Sequence, residues 1–143
     1  MRFKNLWRQI NEKRGVSDFY RYLAAGGDVN TAHPESGWTL LHNAAELGNL
    51  SLIEALVKSG ANLNARNHQG WTPLHLAVDA QIDVVCQSSK RLGDVKFPTV
   101  RLLLSLGADP AIRDELGKTP RDVAAAYGFD VAPHFDRLTS TCR

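Results

Sequence analysis

Histidines and cysteines are the residues of this sequence best suited to metal binding, acid–base or nucleophilic chemistry. The histidines lack the HxxxH and HExxH spacings that place two imidazoles on one helix face around a zinc ion; they are His33, His42, His68, His75 and His134. The cysteines, Cys86 and Cys142, form no CxxC pair. We therefore expect two free thiols, no metal ion and no cofactor.

Carboxylates and glycines give no clearer catalytic arrangement. Asp79 and Asp83 could share a helix face, but a solvated pair is the ordinary interpretation. Gly26 and Gly27 are not followed by the GxxxxGK[ST] pattern of a phosphate-binding loop. The sequence therefore favours a protein that is not an enzyme, and residues 81–95 are the one segment where an enzymatic site could lie.

The elements that must position these residues are repeated along the chain. The segment GWTLLHNAAELG from Gly37 returns as GWTPLHLAVDAQ from Gly70, at an offset of 33 residues. Identical residues at this offset are Gly37 and Gly70, Trp38 and Trp71, Thr39 and Thr72, Leu41 and Leu74, His42 and His75, and Ala44 and Ala77. A third copy, GKTPRDVAAAYG from Gly117, follows after 47 residues, which predicts an insertion of fourteen residues in the middle repeat.

The 33-residue period and the TPLH tetrapeptide resemble the ankyrin-repeat family. The motifs that carry the resemblance are TPLHLA from Thr72, TLLHNA from Thr39, and the endings SGANLNARN from Ser59 and LGADPAIRD from Leu106. The resemblance extends from about residue 16 to residue 138. It implies an all-α solenoid of stacked helix-turn-helix pairs joined by β-hairpin loops.

The repeated residues also have local physical roles. Thr followed by Pro suits the first turn of a helix, because the hydroxyl can cap free N–H groups and proline loses no hydrogen bond there. The resemblance implies that His42 and His75 bond to threonine and backbone groups within and between repeats. Gly60 and Gly107 are expected to end helices in a left-handed turn that a side chain would resist.

We predict a single domain of four repeats. The boundaries are 1–33 for an N-terminal capping repeat, 34–66 for the second repeat, 67–113 for the third, with its insertion near 81–95, and 114–143 for a C-terminal capping repeat. A repeat cannot bury its apolar face alone, so stacking copies produces one continuous core. Pro133 should shorten or distort the last helix unless it lies in the first turn, and residues 139–143 are expected to fray.

Ankyrin proteins usually bind partners through hairpin tips and the exposed face of each first helix, and the resemblance places these surfaces on particular residues here. The predicted contact residues are Trp38, Glu46, Leu47, Arg66, His68, Gln69, Trp71, Asp79, Ala80, Arg113, Glu115, Leu116, Lys118 and Tyr127. Trp38 and Trp71 allow two interpretations. They are either interface anchors, since aromatic residues dominate interface energetics, or residues that pack on each other or on the hairpins.

The insertion is expected to change the third repeat. Gln81 stands where Gly48 and Gly128 end the equivalent helices, so the helix should continue to about Cys86. Apolar neighbours favour a buried and unreactive Cys86 over a redox-sensitive thiol. The next helix should begin at Pro98, with Phe97 holding its entry.

Lys90 and Arg91 are predicted to lie in the loop of the insertion. There they are either contacts for an acidic partner or part of a neutral surface loop.

Net charge argues against a nucleic-acid ligand. The chain has 143 residues and a net charge of +2, and the predicted contact surface carries both signs. Six basic residues do crowd the first segment: Arg2, Lys4, Arg8, Lys13, Arg14 and Arg21. A nucleic-acid-associated regulatory factor that uses this segment is therefore the alternative function.

We expect a non-enzymatic cytoplasmic protein, monomeric by itself, that binds one protein partner as an adaptor or as an inhibitor. Small ankyrin proteins resemble immunity proteins that block a toxin, which is the more specific hypothesis. The N-terminus lacks the pattern of a secretion signal, and no apolar run approaches the roughly 18 residues that a membrane span requires.

Overall fold

The computed structural model describes Trp7 and residues 15–87, 96–128 and 131–141. These residues form seven α-helices and confirm the predicted all-α solenoid. The helices are α1 (Gly15–Ala24), α2 (Leu40–Leu47), α3 (Leu50–Lys58), α4 (Pro73–Gln87), α5 (Pro98–Ser105), α6 (Pro120–Ala125) and α7 (Val131–Thr141). The predicted first helix, around Phe3, Leu6, Trp7 and Ile10, lies outside the described residues apart from Trp7.

The helices stack in two rows. In the inner row α2 packs against α4, and α4 packs against α6. In the outer row α1 packs against α3, and α3 packs against α5. Leucine and isoleucine side chains of these helices fill the space between the rows, and those that are fully buried include Leu52, Ile53, Leu56 and Leu74. One continuous core therefore runs through the stack, as expected for repeats that cannot bury their faces alone.

The TPLH histidines connect successive repeats. His42 Nδ1 accepts a hydrogen bond from the Thr39 backbone N–H at 3.1 Å, and its Nε2 donates to the Trp71 carbonyl at 2.9 Å. His75 does the same with the Thr72 N–H at 3.2 Å and the Lys118 carbonyl at 3.0 Å. Since Nδ1 accepts, the neutral tautomer with the proton on Nε2 is assigned. The structural role predicted for both histidines is confirmed.

The last inner helix, α6, lacks the histidine that links successive repeats. At the histidine position of α6 stands Asp122, whose Oδ2 accepts from the Thr119 N–H at 2.8 Å and from the Thr119 hydroxyl at 2.9 Å. A carboxylate has no second ring nitrogen with which to reach a further repeat. Arg121 is exposed and binds Asp136 of α7 through two hydrogen bonds of 2.7 and 3.0 Å.

Turns between the elements follow the repeat pattern. Gly60 and Gly107 have φ angles of 92° and 102°, which confirms the left-handed helix endings. The hairpin loops are tight turns; within the described residues they include one isolated antiparallel bridge, between Ala32 and Thr39.

The third-repeat helix is lengthened as predicted. α4 has 15 residues and ends at Gln87, whereas α2 has eight. Gln81, in place of the helix-ending glycine, donates from Nε2 to Thr99 Oγ1 at 3.3 Å and accepts at Oε1 from the Val100 N–H at 3.2 Å. The side chain of Gln81 therefore satisfies a free N–H in the first turn of α5, a cap that the sequence did not reveal.

Phe97 holds the entry to α5, as predicted. Its φ angle of 44° is left-handed, its ring is buried, and it lies 5.2 Å from the ring of His134 on α7. Pro98 is the first residue of α5.

Two predictions about local burial and order are wrong. Cys86 is exposed, because on the extended α4 it follows Val85 by about 100° of rotation, so the apolar face formed by Ile82 and Val85 turns inward without it. The tail does not fray at residue 139, since α7 continues to Thr141, and residues 142 and 143 lie outside the described residues. The Thr139 and Ser140 hydroxyls both bond to the Asp136 carbonyl, and Pro133 lies in the first turn of α7, where proline is tolerated.

Candidate partner-binding surface

Two open clefts lie along the inner helices and hairpins. The first, which we call the C-terminal cleft, has a volume of about 470 Å³; its lining residues are His68, Gln69, Trp71, Asp79, Asp114, Glu115, Leu116, Lys118, Val123, Ala126 and Tyr127. The second, the N-terminal cleft, has a volume of about 380 Å³ and is lined by Trp7, His33, Glu35, Ser36, Trp38, Asn43, Glu46 and Leu47.

The clefts bring together eleven of the residues predicted as contacts. Eight of them line the C-terminal cleft, and Trp38, Glu46 and Leu47 line the N-terminal cleft. Arg66, Ala80 and Arg113 line neither cleft, and Lys90 and Arg91 lie outside the described residues. Eight lining residues were not predicted, among them Asn43, Asp114 and Val123. Asn43 and Val123 follow the histidine position of their repeats, so the repeat register was the signal that could have found these two.

Trp71 is held in place by the repeat that follows it. Its ring stacks on His75, with centroids 5.9 Å apart and an interplanar angle of 26°. Its Nε1 donates to Asp114 Oδ2 at 2.9 Å. The indole is half-buried, so it packs between hairpins and also presents a surface to the C-terminal cleft.

Asp114 is the acceptor that organises this hairpin. Its Oδ1 accepts from the Leu116 N–H at 2.9 Å and the Lys118 N–H at 2.8 Å. Burial by itself would raise the pKa of Asp114, but hydrogen bonds from the backbone of Lys118 and Leu116 and from the Trp71 indole outweigh it, and the pKa lies below its usual value. Asp114 is therefore a fixed negative group at the base of the cleft.

Trp38 has a different environment from Trp71. Its ring stacks on His42 at 6.3 Å and meets Trp7 edge-on at 6.2 Å. Asn67 stands at the position that Asp114 occupies one repeat later, and within the described residues its buried Nδ2 has no hydrogen-bond partner. The Nε1 of Trp38 likewise has no acceptor among the residues that the structure describes.

Arg66 and Arg113, the arginines of the hairpins, form hydrogen bonds within the protein. Arg66 Nη2 donates to the Arg113 carbonyl at 3.0 Å and to Glu115 Oε1 at 3.3 Å, while its Nε reaches the Gly70 carbonyl at 3.3 Å. Arg113 Nη1 donates to the Gly117 carbonyl at 2.7 Å. Arg66 therefore joins successive hairpins and Arg113 is held within its own hairpin, which lowers the freedom of both side chains to reach a partner.

Acidic groups meet along the inner helices. The Tyr127 hydroxyl donates to Asp79 Oδ1 at 2.6 Å, and this hydrogen bond, followed by burial, raises the pKa of Tyr127 to about 12. Burial and then the charge of Asp79 raise the pKa of Glu46. The side chains of α2 and α4 therefore place negative charges from neighbouring repeats near one another.

Apolar side chains remain exposed in both clefts. Leu116 is 79% exposed and Tyr127 is 38% exposed in the C-terminal cleft, and Leu47 is 48% exposed in the N-terminal cleft. Large apolar groups that line concave surfaces favour contact with another macromolecule. In the described residues, no group of three or more His, Cys, Asp or Glu side chains could hold a metal ion, and no helix is long and apolar enough to cross a membrane.

Comparison with known families agrees with this architecture. A family model for ankyrin repeats in three copies matches residues 11–87, and a model for a single ankyrin repeat matches residues 69–115. The chain belongs to the ankyrin-repeat family. The inner helices and hairpins described above are therefore the concave side of an ankyrin solenoid.

Individual ankyrin proteins are also similar to this chain. Protein phosphatase 1 regulatory subunit 27 of Mus musculus is 38% identical over 96 residues, which cover 66% of this chain and 52% of the relative. Putative ankyrin repeat protein YahD of Escherichia coli (strain K12) is 38% identical over 109 residues, 76% of this chain and 49% of the relative. RelA-associated inhibitor of Mus musculus is 37% identical over 65 residues, 46% of this chain and 8% of the relative.

The chain thus spans about half the length of regulatory subunit 27 and of YahD. The names of two of these relatives denote a regulatory subunit and an inhibitor. Together with the ankyrin repeats, they support a protein–protein interaction module.

Proposed function

We propose that this ankyrin protein binds one folded protein partner in the two clefts and acts on that partner as an inhibitor or regulatory subunit. The observation that carries the proposal is the exposure of Leu47, Leu116 and Tyr127 inside concave clefts. The free energy of the complex falls when a partner removes such side chains from water. The cytoplasm is the compartment in which we expect this to occur.

The clefts support recognition better than catalysis. Asp114 is held by three hydrogen bonds within the fold, and His42 and His75 use both ring nitrogens to connect repeats. A catalytic base needs a nitrogen or oxygen free to take a proton from a substrate. The polar groups of the inner surface are therefore better suited to position a partner than to react with a substrate.

The inhibitor hypothesis, which includes an immunity protein that blocks a toxin, predicts a tight complex of one to one stoichiometry. An adaptor would bind several partners more weakly. Names such as regulatory subunit and inhibitor among the relatives favour an enzyme or a regulatory factor as the partner, although they describe those proteins and not this chain.

Affinity capture with a matched pair of variants tests the proposal. Leu116→Glu places a charge in the C-terminal cleft, whereas Val84→Glu makes the same kind of change at a residue that is 66% exposed and lines neither cleft. We expect Leu116→Glu to weaken the isolated partner complex by roughly tenfold or more and Val84→Glu to leave it unchanged. Equal binding by the three proteins would move the site away from the clefts.

Once the partner is purified, its activity with and without this protein separates the two roles. Complete loss of that activity at equal molar amounts indicates an inhibitor. Unchanged activity with a stable complex indicates an adaptor.

The alternative, a nucleic-acid-associated factor, depends on basic residues that lie mostly outside the described part of the chain. The inner helices that are described carry acids, which would repel phosphates. Titration with DNA and RNA at low and physiological salt tests it, since binding that falls steeply with salt would support this alternative.

A further inference from the structure

On the concave side, the charged residues of helices α2 and α4 are all acidic. The inner helices α2 and α4 contain Glu46, Asp79 and Asp83 and no lysine or arginine. The ion pairs found among the described residues are Arg21 with Asp18, Arg66 with Glu115, and Arg121 with Asp136. No described cation therefore forms an ion pair with the acids of α2 and α4, although Lys118 lines the C-terminal cleft together with Asp79 and the whole chain carries a net charge of +2.

These acids form one connected group with Tyr127, which we call the acidic strip: Glu46, Asp79, Asp83 and Tyr127. Asp79 and Asp83 are four residues apart and so lie one above the other on α4. Asp79 binds the Tyr127 hydroxyl at 2.6 Å, and the negative charges of Asp79 and Asp83 both act on that phenol. The charge of Asp79 also acts on Glu46 from the neighbouring repeat. Asp83 belongs to the part of α4 that the insertion lengthens.

An apolar wall adjoins the acidic strip. The C-terminal cleft contains Asp79 together with the side chains of Trp71, Val123, Ala126 and Tyr127. Arginine suits such a place, because its guanidinium binds carboxylates and stacks on aromatic rings while its aliphatic stem covers apolar surface. A lysine satisfies the same pattern less completely.

We propose that the acidic strip binds a basic segment of the protein partner, with an arginine or lysine side chain that bonds to the carboxylates of α4 and lies against the ring of Tyr127. The proposal rests on the proposed function and adds the chemistry of the partner. A cation at this place would relieve the repulsion among three carboxylates that form no ion pair with a described cation. An acidic segment or a nucleic acid would add to that repulsion.

Three synthetic peptides of equal length serve as probes. One contains arginine and leucine, and in the other two glutamate or serine replaces each arginine. Each peptide is titrated into the 15N-labelled full chain while the amide signals and the indole N–H signals are followed. We expect the arginine peptide alone to shift the signals of Asp79, Asp83, Tyr127 and the Trp71 indole.

Two glutamates on adjacent helices provide the matched variants. Glu46→Gln removes a charge from the acidic strip, and Glu54→Gln makes the same change on the exposed side of α3. We expect Glu46→Gln to weaken binding of the arginine peptide by about 2- to 5-fold and Glu54→Gln to leave it unchanged. Equal weakening by both variants would show only diffuse attraction and would overturn the proposal.

The other outcomes separate this proposal from the function on which it rests. If the serine or glutamate peptide shifts the same signals as the arginine peptide, the basic partner is wrong, while the cleft remains a docking surface. If none of the peptides shifts the signals of the acidic strip, the proposal is also overturned. In either case, the affinity of the Leu116→Glu and Val84→Glu variants for the isolated protein partner tests the proposed function independently.

Discussion

Trp71 and Asp114 are joined across neighbouring repeats by a hydrogen bond of 2.9 Å between Nε1 and Oδ2. One repeat earlier, the corresponding residues are Trp38 and Asn67, and the bond is missing from that described pair. Asn67 Oδ1 accepts from the N–H groups of Gln69 and Trp71, both at 2.9 Å, so the amide offers only its Nδ2 donor where Asp114 has a second oxygen. Two donors cannot bond to one another.

Asn67→Asp is therefore expected to stabilise the protein by about 1 kcal/mol, because the new oxygen can accept from Trp38 Nε1. Asp114→Asn should lower the free energy of unfolding by about 1–3 kcal/mol, because it takes the acceptor away from Trp71. Urea unfolding measures both changes. A background of Trp38→Phe should abolish the gain from Asn67→Asp, and a gain that persists there would contradict the explanation.

Gly70 and Gly117 occupy the same position in successive hairpins and test how tightly the hairpins stack. Their φ angles, 77° and 75°, impose nearly the same backbone strain on any side chain. A Cβ at Gly70 would lie 2.7 Å from the Glu115 backbone nitrogen, whereas a Cβ at Gly117 would meet nothing within 4 Å.

We expect Gly117→Ala to cost about 1–2 kcal/mol of unfolding free energy and Gly70→Ala to cost at least about 1 kcal/mol more. Thermal or urea unfolding of the two variants checks the difference. Equal losses would mean that the hairpins can separate without cost.

Gln81 links the extended helix α4 to the start of α5. Gln81→Ala removes the hydrogen bonds to Thr99 and Val100 and should lower the free energy of unfolding by about 1–2 kcal/mol, since it leaves a partly buried N–H unsatisfied. Gln87→Ala, on the same helix but exposed, is the control and should change stability by less than about 0.5 kcal/mol. A smaller loss for Gln81→Ala than for the control would exclude the capping role.

Stability should fall as the pH drops from neutral towards 4. Burial lowers the pKa of His42 from 6.5 to about 4, and burial also lowers the pKa of His75. Between these pH values the unfolded chain binds a proton that the folded histidine does not, so the free energy of unfolding decreases with acidification and is fully retained above about pH 6.5. For His42 alone the loss is on the order of 3 kcal/mol, because one pH unit corresponds to about 1.4 kcal/mol.

Urea unfolding between pH 7.5 and 4.5 measures this slope, and the ring nitrogen shifts of both histidines report whether each stays neutral in the folded state. The raised pKa of Glu46 acts in the opposite direction, so Glu46→Gln should steepen the loss at the acid end of the range. Stability that stays level over this range would contradict buried neutral histidines.

The comparison of repeats shows which residues of the two clefts a sequence can locate. The 33-residue offset places Trp38, Trp71 and the TPLH histidines in equivalent positions, and the clefts contain eleven of the residues inferred from that register. The register could not show that Arg66 donates to the Arg113 carbonyl of the next hairpin, or that Asp79 accepts a hydrogen bond from the hydroxyl of Tyr127. Those pairs join residues about 47 positions apart, where only side-chain reach in three dimensions decides the contact.

By itself, the sequence determined the family, the helix starts at threonine and proline, the left-handed ends at Gly60 and Gly107, and the long helix through the insertion. All of these depend on local backbone preference or on a period along the chain. The tertiary structure alone decided that Cys86 is exposed, that Gln81 caps α5, and that the acids of α2 and α4 form no ion pair with a cation in the described part of the chain. The physical reason is that burial, hydrogen bonding and the field around a carboxylate depend on which neighbours the stacked repeats bring together, and spacing along the chain does not contain that information.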